Sequence, residues 1–518
     1  MERREFLKKI GIGAAGALIA DNFTSCSGDS QGSVIATENA RTGDPAWVLS
    51  NPAIQREIEG YASATSVNRG GSITFYVSTG DPQFSLEVFR LGWYGGAGAR
   101  KMLDSPVVLP GVQQATPMPD PMTGLIECSW DASYELKIPY ASNDPTVWAS
   151  GVYLAKLTGS VSGKQSYIIF VLRDDLRFSK YLFQSSVTTF QAYNNWGGKS
   201  LYDYNSVGGR AAKVSFNRPY GPSLQLGSSS NNGGGDAVYY TPTSINAACG
   251  VGAGEFLTNY VPEGVGFPAS WECNMLRFLE RNGYDVTYAT NIDNHENPNL
   301  LLNHRAFLSV GHDEYWSWEM RSNAIYARDA GINLGFFAAD VCYWQIRFEP
   351  SAVTGAPNRT QVCYKSANDP VTGLRRTLLW RDLGLPEAQL VGIMYLTDRV
   401  DADIVVQNTS HWIFADTGLS DGDPLPGLLG YEVDATDASS PANLVVLGNS
   451  PSKYESNPVM HSQMATYTAP SGATVFAAGS MEWSWGLDDY NAPAIRPSRL
   501  NAACQKITQN ILSRLGQP

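Results

Sequence analysis

The sequence GHDEYW at residues 311–316 places a histidine and a glutamate two positions apart, directly after a run of apolar residues. Imidazole and carboxylate groups can bind a metal ion or transfer protons in a hydrolytic reaction. The same stretch also suits a helix N-terminus, where a capping side chain and a negative charge are stabilising. We assign the capping role to Asp313. His312 is a candidate functional residue because the chain has only five histidines, and Glu314 is a candidate beside it.

Polar and aromatic residues are also concentrated in residues 190–202 (FQAYNNWGGKSLY) and 479–487 (GSMEWSWGL). Glu482 in the second segment stands between apolar and tryptophan neighbours, and burial there would raise the pKa of its carboxyl group towards that of a general acid or base. Core packing, or an ion pair with an arginine such as Arg347, explains the same pattern and is the commoner outcome. The strand before residue 311 leads to no serine or cysteine in an elbow, so a nucleophile of that kind is not indicated.

These candidate residues are positioned by a predicted parallel sheet. Residues 305–310 form a predicted buried strand, 315–330 a helix and 332–338 another strand, and such a strand–helix–strand unit implies parallel pairing with helices on the faces of the sheet. Strand or helix patterns also occur at 271–282 (helix), 284–290 (strand), 473–478 (strand) and 498–515 (helix). Ligands of open α/β sheets bind beyond the carboxyl ends of the strands, which is where His312 and Glu314 fall.

The preceding part of the chain has a different pattern, in which apolar and polar residues alternate between turns rich in Gly, Pro, Asp and Asn. The alternating segments are 72–78, 84–90, 151–159 and 166–173. They predict an antiparallel β-sandwich over residues 46–175. We therefore expect two domains, with an α/β domain over 176–518 that carries a Gly/Ser/Asn-rich surface insertion at about 221–265.

Composition excludes one broad class of function. The chain of 518 residues has 43% hydrophobic and 17% charged residues, which is typical of a well-packed globular protein of more than one domain. Its formal charge is −12. A general nucleic-acid binder needs a basic surface to meet the phosphates, so nucleic acid is not expected as a partner.

The N-terminus predicts export from the cytoplasm. Arg3 and Arg4 precede a weakly apolar stretch over residues 10–20, as in a twin-arginine signal, and that stretch is too short to span a membrane. We assign residues 1–26 to this signal and 27–45 to a linker, and expect a periplasmic, cell-surface or secreted protein. Cys26 stands where a lipid-modified cysteine would follow the signal and is a candidate lipid anchor.

Five motifs, in this order, resemble the C-terminal region of the large (beta) subunit in the N,N-dimethylformamidase family. They are FRLGWYGGAGAR at 89–100, YNNWGG at 193–198, NRPY at 217–220, VGHDEYW at 310–316 and EWSWGL at 482–487. The resemblance covers roughly residues 45–515. It implies a catalytic half similar to class I glutamine amidotransferases, without their cysteine nucleophile, and a mononuclear iron held by two tyrosines and one glutamate.

Carried over by position, the resemblance implies Tyr193 and Glu314 as the first tyrosine and the glutamate. Tyr220 is our choice for the second tyrosine, with Tyr239 and Tyr240 as rivals because the insertion blurs the alignment. Phenolate and carboxylate oxygens suit ferric iron, which would act as a Lewis acid on an amide carbonyl or activate a water.

Three further residues receive roles from the same resemblance. His312 becomes a proton-handling neighbour of the metal, and Glu482 the general base for the water. Where the family has an asparagine after the third strand, this chain has Asp340. An asparagine can donate a hydrogen bond to an oxyanion and an ionised aspartate cannot, so this departure weighs against formamide-type amidase activity.

The sequence thus predicts an exported iron-dependent hydrolase that acts on a C–N bond of a small amide. The resemblance adds a small partner subunit as an expectation, with a homo-oligomer as the other form of assembly. The first alternative is a non-catalytic exported protein that binds carbohydrate or another protein on the same fold. A second alternative keeps the pocket but catalyses another hydrolysis or an iron-dependent oxidation.

Overall fold

The fold is described from a computed structural model. It covers residues 33–53, 55–221, 224–226, 237–239, 251–257, 271–366, 368–452, 459–490, 492 and 496–517. The predicted export signal, Cys26, Tyr240 and most of the predicted insertion lie outside these residues. From Ser33 onward the chain forms one compact unit. None of the helices among the described residues is long and apolar enough to cross a membrane.

The largest sheet has seven strands. In spatial order they are β14 (Val286–Thr290), β10 (Tyr181–Ser185), β15 (Ala306–His312), β17 (Asn333–Ala339), β24 (Thr474–Ala477), β23 (Met460–Thr468) and β22 (Val445–Ser452). The first five strands pair in parallel, and β23 pairs antiparallel with both β24 and β22. Every residue of β15 is buried, as a strand covered on both faces requires. The chain is therefore a mixed α/β protein, as the sequence predicts.

Seven α-helices are described. They are α1 (Val34–Asn39), α2 (Val187–Tyr193), α3 (Trp271–Arg281), α4 (Asn291–Glu296), α5 (Trp318–Asp329), α6 (Ala388–Val391) and α7 (Ala502–Leu515). Helix α5 begins three residues later than predicted because Ser317 caps it, accepting a hydrogen bond from the Met320 amide. The predicted capping role of Asp313 is therefore wrong, and residues 315–317 form a short strand instead.

Two sheets dominate the N-terminal part. One has the order β1 (Ile58–Ala62), β3 (Ser72–Thr79), β7 (Tyr134–Lys137). The other has the order β2 (Ser66–Asn68), β9 (Gln165–Arg173), β8 (Gly151–Gly159), β4 (Gln83–Leu91), β5 (Ala99–Lys101), and β6 (Val107–Pro110) also pairs with β4. A shared apolar core contains Phe75 from the first sheet and Leu86 and Phe170 from the second. Alternate residues of β3 and β4 supply it, as the predicted period of two requires.

Three smaller sheets contain the remaining strands of the described residues. The first has four strands in the order β11 (Lys213–Ser215), β19 (Thr360–Val362), β18 (Trp344–Glu349), β16 (Tyr315–Ser317). The second is a pair of antiparallel strands, β12 (Leu224–Leu226) and β13 (Ala237–Tyr239). The third is a two-stranded ribbon of β20 (Met394–Val405) and β21 (Pro424–Ala435). The ribbon packs against the turn that follows β24, where Val433 bridges to Ser480. It thereby brings residues near 430 to the carboxyl ends of the parallel strands.

Part of the predicted linker forms a helix. Helix α1 lies within the predicted linker 27–45 and is capped by Ser33, whose side chain accepts from the Ile35 amide. Ile35 is buried in the main core, and the buried Glu38 accepts a hydrogen bond of 2.6 Å from Arg100. Residues 34–39 are therefore part of the packed core, because this short helix carries an apolar side chain and an ion-pair partner.

A buried ion pair joins strand β4 to helix α3. Arg90 Nη1 and Nη2 donate to the two carboxylate oxygens of Glu280 at 2.9 and 2.7 Å, and both side chains are fully buried. The hydroxyl of Tyr288 donates to Glu280 as well, at 2.8 Å. A bidentate pair with further hydrogen bonds has the geometry in which burial of two charges is tolerated.

Replacing Arg90 by methionine should strongly destabilise the protein, because the carboxylate of Glu280 would remain buried without its partner. We expect a loss of about 3–5 kcal/mol in the free energy of unfolding, measured by urea titration. The matched control is Lys506→Met, which removes a 3.5 Å contact with the largely exposed Asp416 and should cost less than about 1 kcal/mol. Equal losses in the two variants would contradict the stabilising role of the Arg90–Glu280 pair.

Candidate active site at the carboxyl ends of the parallel strands

The carboxyl ends of the parallel strands bring the candidate residues to one edge of the sheet. Strand β10 leads into α2, which ends at Tyr193, and β15 ends at His312, with Glu314 two residues further on. Asp340 directly follows β17. Glu432 arrives from strand β21 of the ribbon, and its distance from the rest in sequence kept it out of the predicted set.

The backbone at these strand ends adopts conformations that few residues tolerate. Gly311 has a φ of +69°, and a Cβ atom there would lie 2.4 Å from Cβ of Trp271. Asp340 and Cys342 also have positive φ values, of 52° and 59°. Such strain in non-glycine residues persists only where the surroundings enforce it, and it is common at functional sites.

Asp313 fixes the turn that carries the two candidate residues on either side of it. Its carboxylate accepts hydrogen bonds from Gln184 of β10 at 2.8 Å, from Ser309 of β15 at 2.9 Å and from Asn291 of α4 at 2.9 Å. Burial raises the pKa of this carboxyl group, and the hydrogen bonds oppose that rise. Asp313 therefore caps no helix, because its oxygens join two strands and a helix under the site.

Tyr193, Tyr202 and Glu314 form a compact oxygen cluster. The Tyr193 hydroxyl donates to Glu314 Oε2 at 2.8 Å, and the Tyr202 oxygen lies 2.6 Å from Glu314 Oε1 and 2.8 Å from the Tyr193 oxygen. The two phenol rings stack with centroids 4.4 Å apart. Tyr202 was not predicted as a site residue, although it ends the tyrosine-rich segment 190–202.

Lys365 provides a cation on the far side of this cluster. Its Nζ lies 3.5 Å from the ring centroid of Tyr202 and donates to the hydroxyl of Tyr315 at 2.6 Å. The Tyr315 hydroxyl is in turn 2.6 Å from the Tyr202 hydroxyl. Burial lowers the pKa of Lys365 to about 8, while the charge of Glu314 acts in the opposite direction. A chain of hydrogen bonds thus links a buried amine to the carboxylate of Glu314.

His312 lies among three carboxyl groups. Its Nε2 is 3.2 Å from Glu314 Oε2, 3.3 Å from Glu432 Oε2 and 3.9 Å from Asp340 Oδ2. None of these contacts has hydrogen-bond geometry, and both ring nitrogens, Glu432 Oε2 and Asp340 Oδ1 are buried without a hydrogen-bond partner among the described residues. Buried polar groups are almost always satisfied, so these atoms point to a ligand, a water or an ion.

The charges of His312 and the three carboxyl groups determine which of these side chains carry a proton. Burial disfavours the imidazolium, but Glu432, Asp340 and Glu314 outweigh burial and raise the pKa of His312 well above its usual value. Burial and the charge of Glu432 raise the pKa of Asp340 far above its usual range, so its neutral acid form is favoured. Burial acts to raise the pKa of Glu314 as well, but the interaction with the His312 imidazolium, whose Nε2 is 3.2 Å away, lowers it overall.

A fourth carboxyl group, Glu255, adds to this electrostatic environment. Burial raises its pKa to about 8, with His312 opposing the rise and Glu314 and Glu432 adding to it. Burial also raises the pKa values of the Tyr193 and Tyr202 hydroxyls, and the charge of Glu314 raises them further. Phenolate forms of these tyrosines therefore require a compensating cation.

Two predicted site residues lie elsewhere. The Tyr220 hydroxyl is buried in a different cavity and makes no contact with Glu314 among the described contacts. Glu482 is fully buried, and its Oε2 accepts a hydrogen bond of 2.9 Å from Arg499. The expected placement of Tyr220 and Glu482 in the site is therefore wrong. Tyr202 lies beside Tyr193 in place of Tyr220, and Glu432 lies beside His312 in place of Glu482. Tyr239 lies in β13, whose side chains are not described.

The fold and the site together define a class of protein. It is a mixed α/β protein with a buried site of tyrosine hydroxyls, carboxyl groups and one imidazole at the carboxyl ends of parallel strands. Oxygen-rich donor sets of this kind suit hard metal ions. His312, Asp340 and Glu432 additionally offer three ligand atoms that lie within 4.8 Å of one another.

The chain belongs to the family described as N,N-dimethylformamidase beta subunit-like, C-terminal, whose profile matches residues 85–496. This match confirms the resemblance predicted from the five motifs. No curated protein matches the chain. Among solved structures, Pseudomonas fluorescens alkylpurine DNA glycosylase AlkC, bound to DNA containing an abasic site analog, aligns with 12% identity and a TM-score of 0.14 over 23% of this chain and 30% of that chain. That alignment spans less than a third of the glycosylase and carries no argument about fold or function.

The arrangement predicts that Glu432 holds His312 in its protonated form. In Glu432→Gln the imidazolium loses a facing negative charge, so the pKa of His312 should fall relative to the unsubstituted protein. The measurement is an NMR titration of labelled histidine in chelator-treated protein, in which only five histidines contribute signals. Glu482→Gln is the matched control, because that buried carboxyl group does not contact His312, and an equal fall in the control would contradict the assignment.

Proposed function

We propose that this protein is an iron-dependent hydrolase that cleaves a C–N bond of a small amide. The observation that carries the proposal is the oxygen cluster of Tyr193, Tyr202 and Glu314, which lies next to a buried imidazole and carboxyl groups without hydrogen-bond partners. Membership of the N,N-dimethylformamidase beta subunit-like family supports the reaction class. The substrate is a small molecule, since the site is buried among side chains.

The residues that would hold the iron are Tyr193, Tyr202 and Glu314, with Tyr202 in the place first assigned to Tyr220. Their oxygens lie 2.6–2.8 Å from one another, so one cation could be shared by all three. Phenolate and carboxylate are hard anionic donors, which suit ferric iron. The iron would supply Lewis acidity that polarises the amide carbonyl.

Glu432 is the general base of the proposed reaction. Its Oε2 has no hydrogen-bond partner among the described residues and lies 3.3 Å from His312, so it faces the space where a water would approach. It takes a proton from the water as the water oxygen bonds to the carbonyl carbon. Glu482 does not suit this role, because its carboxylate is engaged by Arg499.

His312 supplies the proton that the departing amine needs. Its raised pKa keeps the imidazolium populated at neutral pH, because Glu432, Asp340 and Glu314 stabilise the charge against the cost of burial. When the C–N bond breaks, transfer of a proton from His312 to the nitrogen makes a neutral leaving group. The proton taken up by Glu432 returns the imidazole to its charged form over the 3.3 Å that separates the two groups.

Asp340 can act as a hydrogen-bond donor in spite of being an acid. Burial and the charge of Glu432 favour its protonated form, and a neutral carboxyl group donates a hydrogen bond as an asparagine side chain does. In this form Asp340 stabilises the negative charge that develops on the carbonyl oxygen. The departure from asparagine is therefore compatible with formamide-type chemistry.

The finer features of the chain are part of the same proposal. We propose that the two N-terminal sheets form a β-sandwich, supported by their shared apolar core, and that the parallel sheet is similar to that of class I glutamine amidotransferases. We also propose export by the twin-arginine route, which would deliver a folded, metal-containing protein. A small partner subunit or a homo-oligomer is the proposed form of assembly.

Iron content tests the proposed ligands. The purified full chain should contain about one iron per chain and show a tyrosinate-to-iron charge-transfer band. Tyr193→Phe and Tyr202→Phe should each weaken that band and lower the iron content, because each removes an anionic ligand. Tyr220→Phe is the matched control and should retain both. Full iron retention in a Tyr193→Phe, Glu314→Ala double variant would refute the ligand set, and a metal-free protein without activity would favour the non-catalytic binding alternative.

The general base is tested with a panel of small amides that includes N,N-dimethylformamide. Glu432→Gln should lower kcat by roughly 10²–10⁴-fold with iron content unchanged, because it removes the proton acceptor and leaves the three iron-binding oxygens in place. Glu482→Gln should leave kcat within about tenfold of the unsubstituted enzyme, provided that the variant folds. The reverse ranking would restore Glu482 as the base.

A further inference from the structure

A second cavity lies between the N-terminal sheets and the start of helix α2. Residues Gly60–Ala62 of β1 and Ile168–Val171 of β9 line one side, and Ser185 and Val187 line the other. The cavity is small and partly open to solvent. Neither His312 nor any member of the oxygen cluster lines it, so it is separate from the proposed active site.

Arg218 extends into this cavity and is almost fully buried, with 1% of its surface exposed. Its Nη1 donates to the carbonyl oxygens of Trp196 and Lys199 at 3.1 and 2.8 Å, and its Nη2 donates to that of Asn194 at 2.7 Å. The third nitrogen, Nε, is buried without a hydrogen-bond partner among the described residues. All three acceptors are neutral carbonyl oxygens, so they satisfy hydrogen-bond donors of Arg218 without compensating its positive charge.

Arg359 is the second cation of the cavity and is 4% exposed. Its Nε donates to Asn217 Oδ1 at 2.8 Å, and its Nη2 donates to the carbonyl oxygens of Ala62 and Phe216 at 2.7 and 2.9 Å. These acceptors are also neutral. No ion pair within 4.0 Å joins either arginine to a carboxylate in the described part of the chain.

Two buried positive charges therefore face one cavity without a carboxylate at contact distance. Glu127 acts on Arg359 electrostatically, but its oxygens accept hydrogen bonds from Ser215, Asn217 and the Ala352 amide. Burial lowers the pKa values of Arg218 and Arg359 to about 10, as expected for cations that lack compensation. Burial of unpaired charge is costly, so an anion that enters the cavity gains a large electrostatic stabilisation.

Tyr220 adds a third donor. Its hydroxyl is buried and has no hydrogen-bond partner among the described residues, and the side chain lines the same cavity as both arginines. The other lining residues include Thr65 and Ser185 but are mostly apolar, among them Ile168, Val171, Val187 and Phe216. The cavity thus offers positive charge and hydrogen-bond donors together with contact to a small apolar group.

We propose that this cavity binds a small monocarboxylate with an apolar body, whose carboxylate lies between Arg218 and Arg359 and accepts a hydrogen bond from Tyr220. A carboxylate provides two acceptor oxygens in the planar arrangement that guanidinium groups recognise. The apolar part of the lining suits a short aliphatic substituent. The site does not depend on iron or on the proposed hydrolysis.

Calorimetric titration of the full chain with butyrate, its uncharged analogue butyramide and inorganic phosphate tests the proposal. Butyrate should bind about tenfold or more tightly than butyramide, because only the charged ligand compensates the two arginines. Tyr220→Phe should weaken butyrate binding by about tenfold, with the unfolding transition and the iron content unchanged, because its hydroxyl has no bond within the protein to lose. Arg359→Gln should abolish the preference for butyrate over butyramide.

The matched control is Tyr181→Phe, which removes a hydroxyl that donates to the Leu512 carbonyl oxygen at 2.6 Å, away from the cavity. Butyrate affinity in this control should equal that of the unsubstituted protein. Equal affinities for butyrate and butyramide, tighter binding of phosphate than of butyrate, or unchanged butyrate affinity in Tyr220→Phe would each overturn the proposal. The iron measurements are separate, so failure here leaves the proposed hydrolase function unaffected.

Discussion

The site is organised around the charge of one buried imidazole. His312 lies between 3.2 and 3.9 Å from carboxylate oxygens of Glu314, Glu432 and Asp340, and burial removes most of the water that would otherwise screen them. Ionisation of all three carboxyl groups so close together is unfavourable, and the positive charge of the imidazolium affects the pKa of each of them. The pKa of Glu314 is lowered and that of Asp340 is raised, which suits the two acidic side chains to opposite chemical roles.

The rest of the fold serves to keep these groups at such distances. Asp313 ties the turn between His312 and Glu314 to neighbouring elements, and Lys365 supports the tyrosines from behind through Tyr315. Both carboxylate oxygens of Asp313 accept hydrogen bonds, whereas both ring nitrogens of His312, Glu432 Oε2 and Asp340 Oδ1 have no hydrogen-bond partner among the described residues. Buried polar groups usually have partners, so these atoms are where a ligand, a water or an ion would bind.

Much of this arrangement could be predicted from the sequence where the information is local. The pattern around residues 305–338 predicted two parallel strands, a helix and a site at the strand ends, because apolar periodicity and turn residues act over short distances. Tyr193 and Glu314 were paired correctly in space by the family resemblance. The family itself is confirmed by the profile match over residues 85–496.

What could not be predicted depends on contacts between distant segments. Tyr202 rather than Tyr220 lies beside Tyr193, since the turn after α2 folds back to stack the two rings, and no periodicity encodes that turn. Glu432 lies on the ribbon, more than a hundred residues after His312 in the sequence, so no nearby motif indicates its role. Asp313 has the sequence signature of a helix cap, but the hydrogen bonds it makes are tertiary.

The ribbon of β20 and β21 has an evolutionary consequence. The three iron-binding candidates come from α2, the segment after it and the turn after β15, whereas the proposed base comes from a separate two-stranded element. Changes in the length or register of the ribbon would replace the base and leave the donor oxygens in place. Relatives with the same sheet could in this way diverge in the bond they cleave while keeping the same donor oxygens, because the ribbon alone carries the residue that changes.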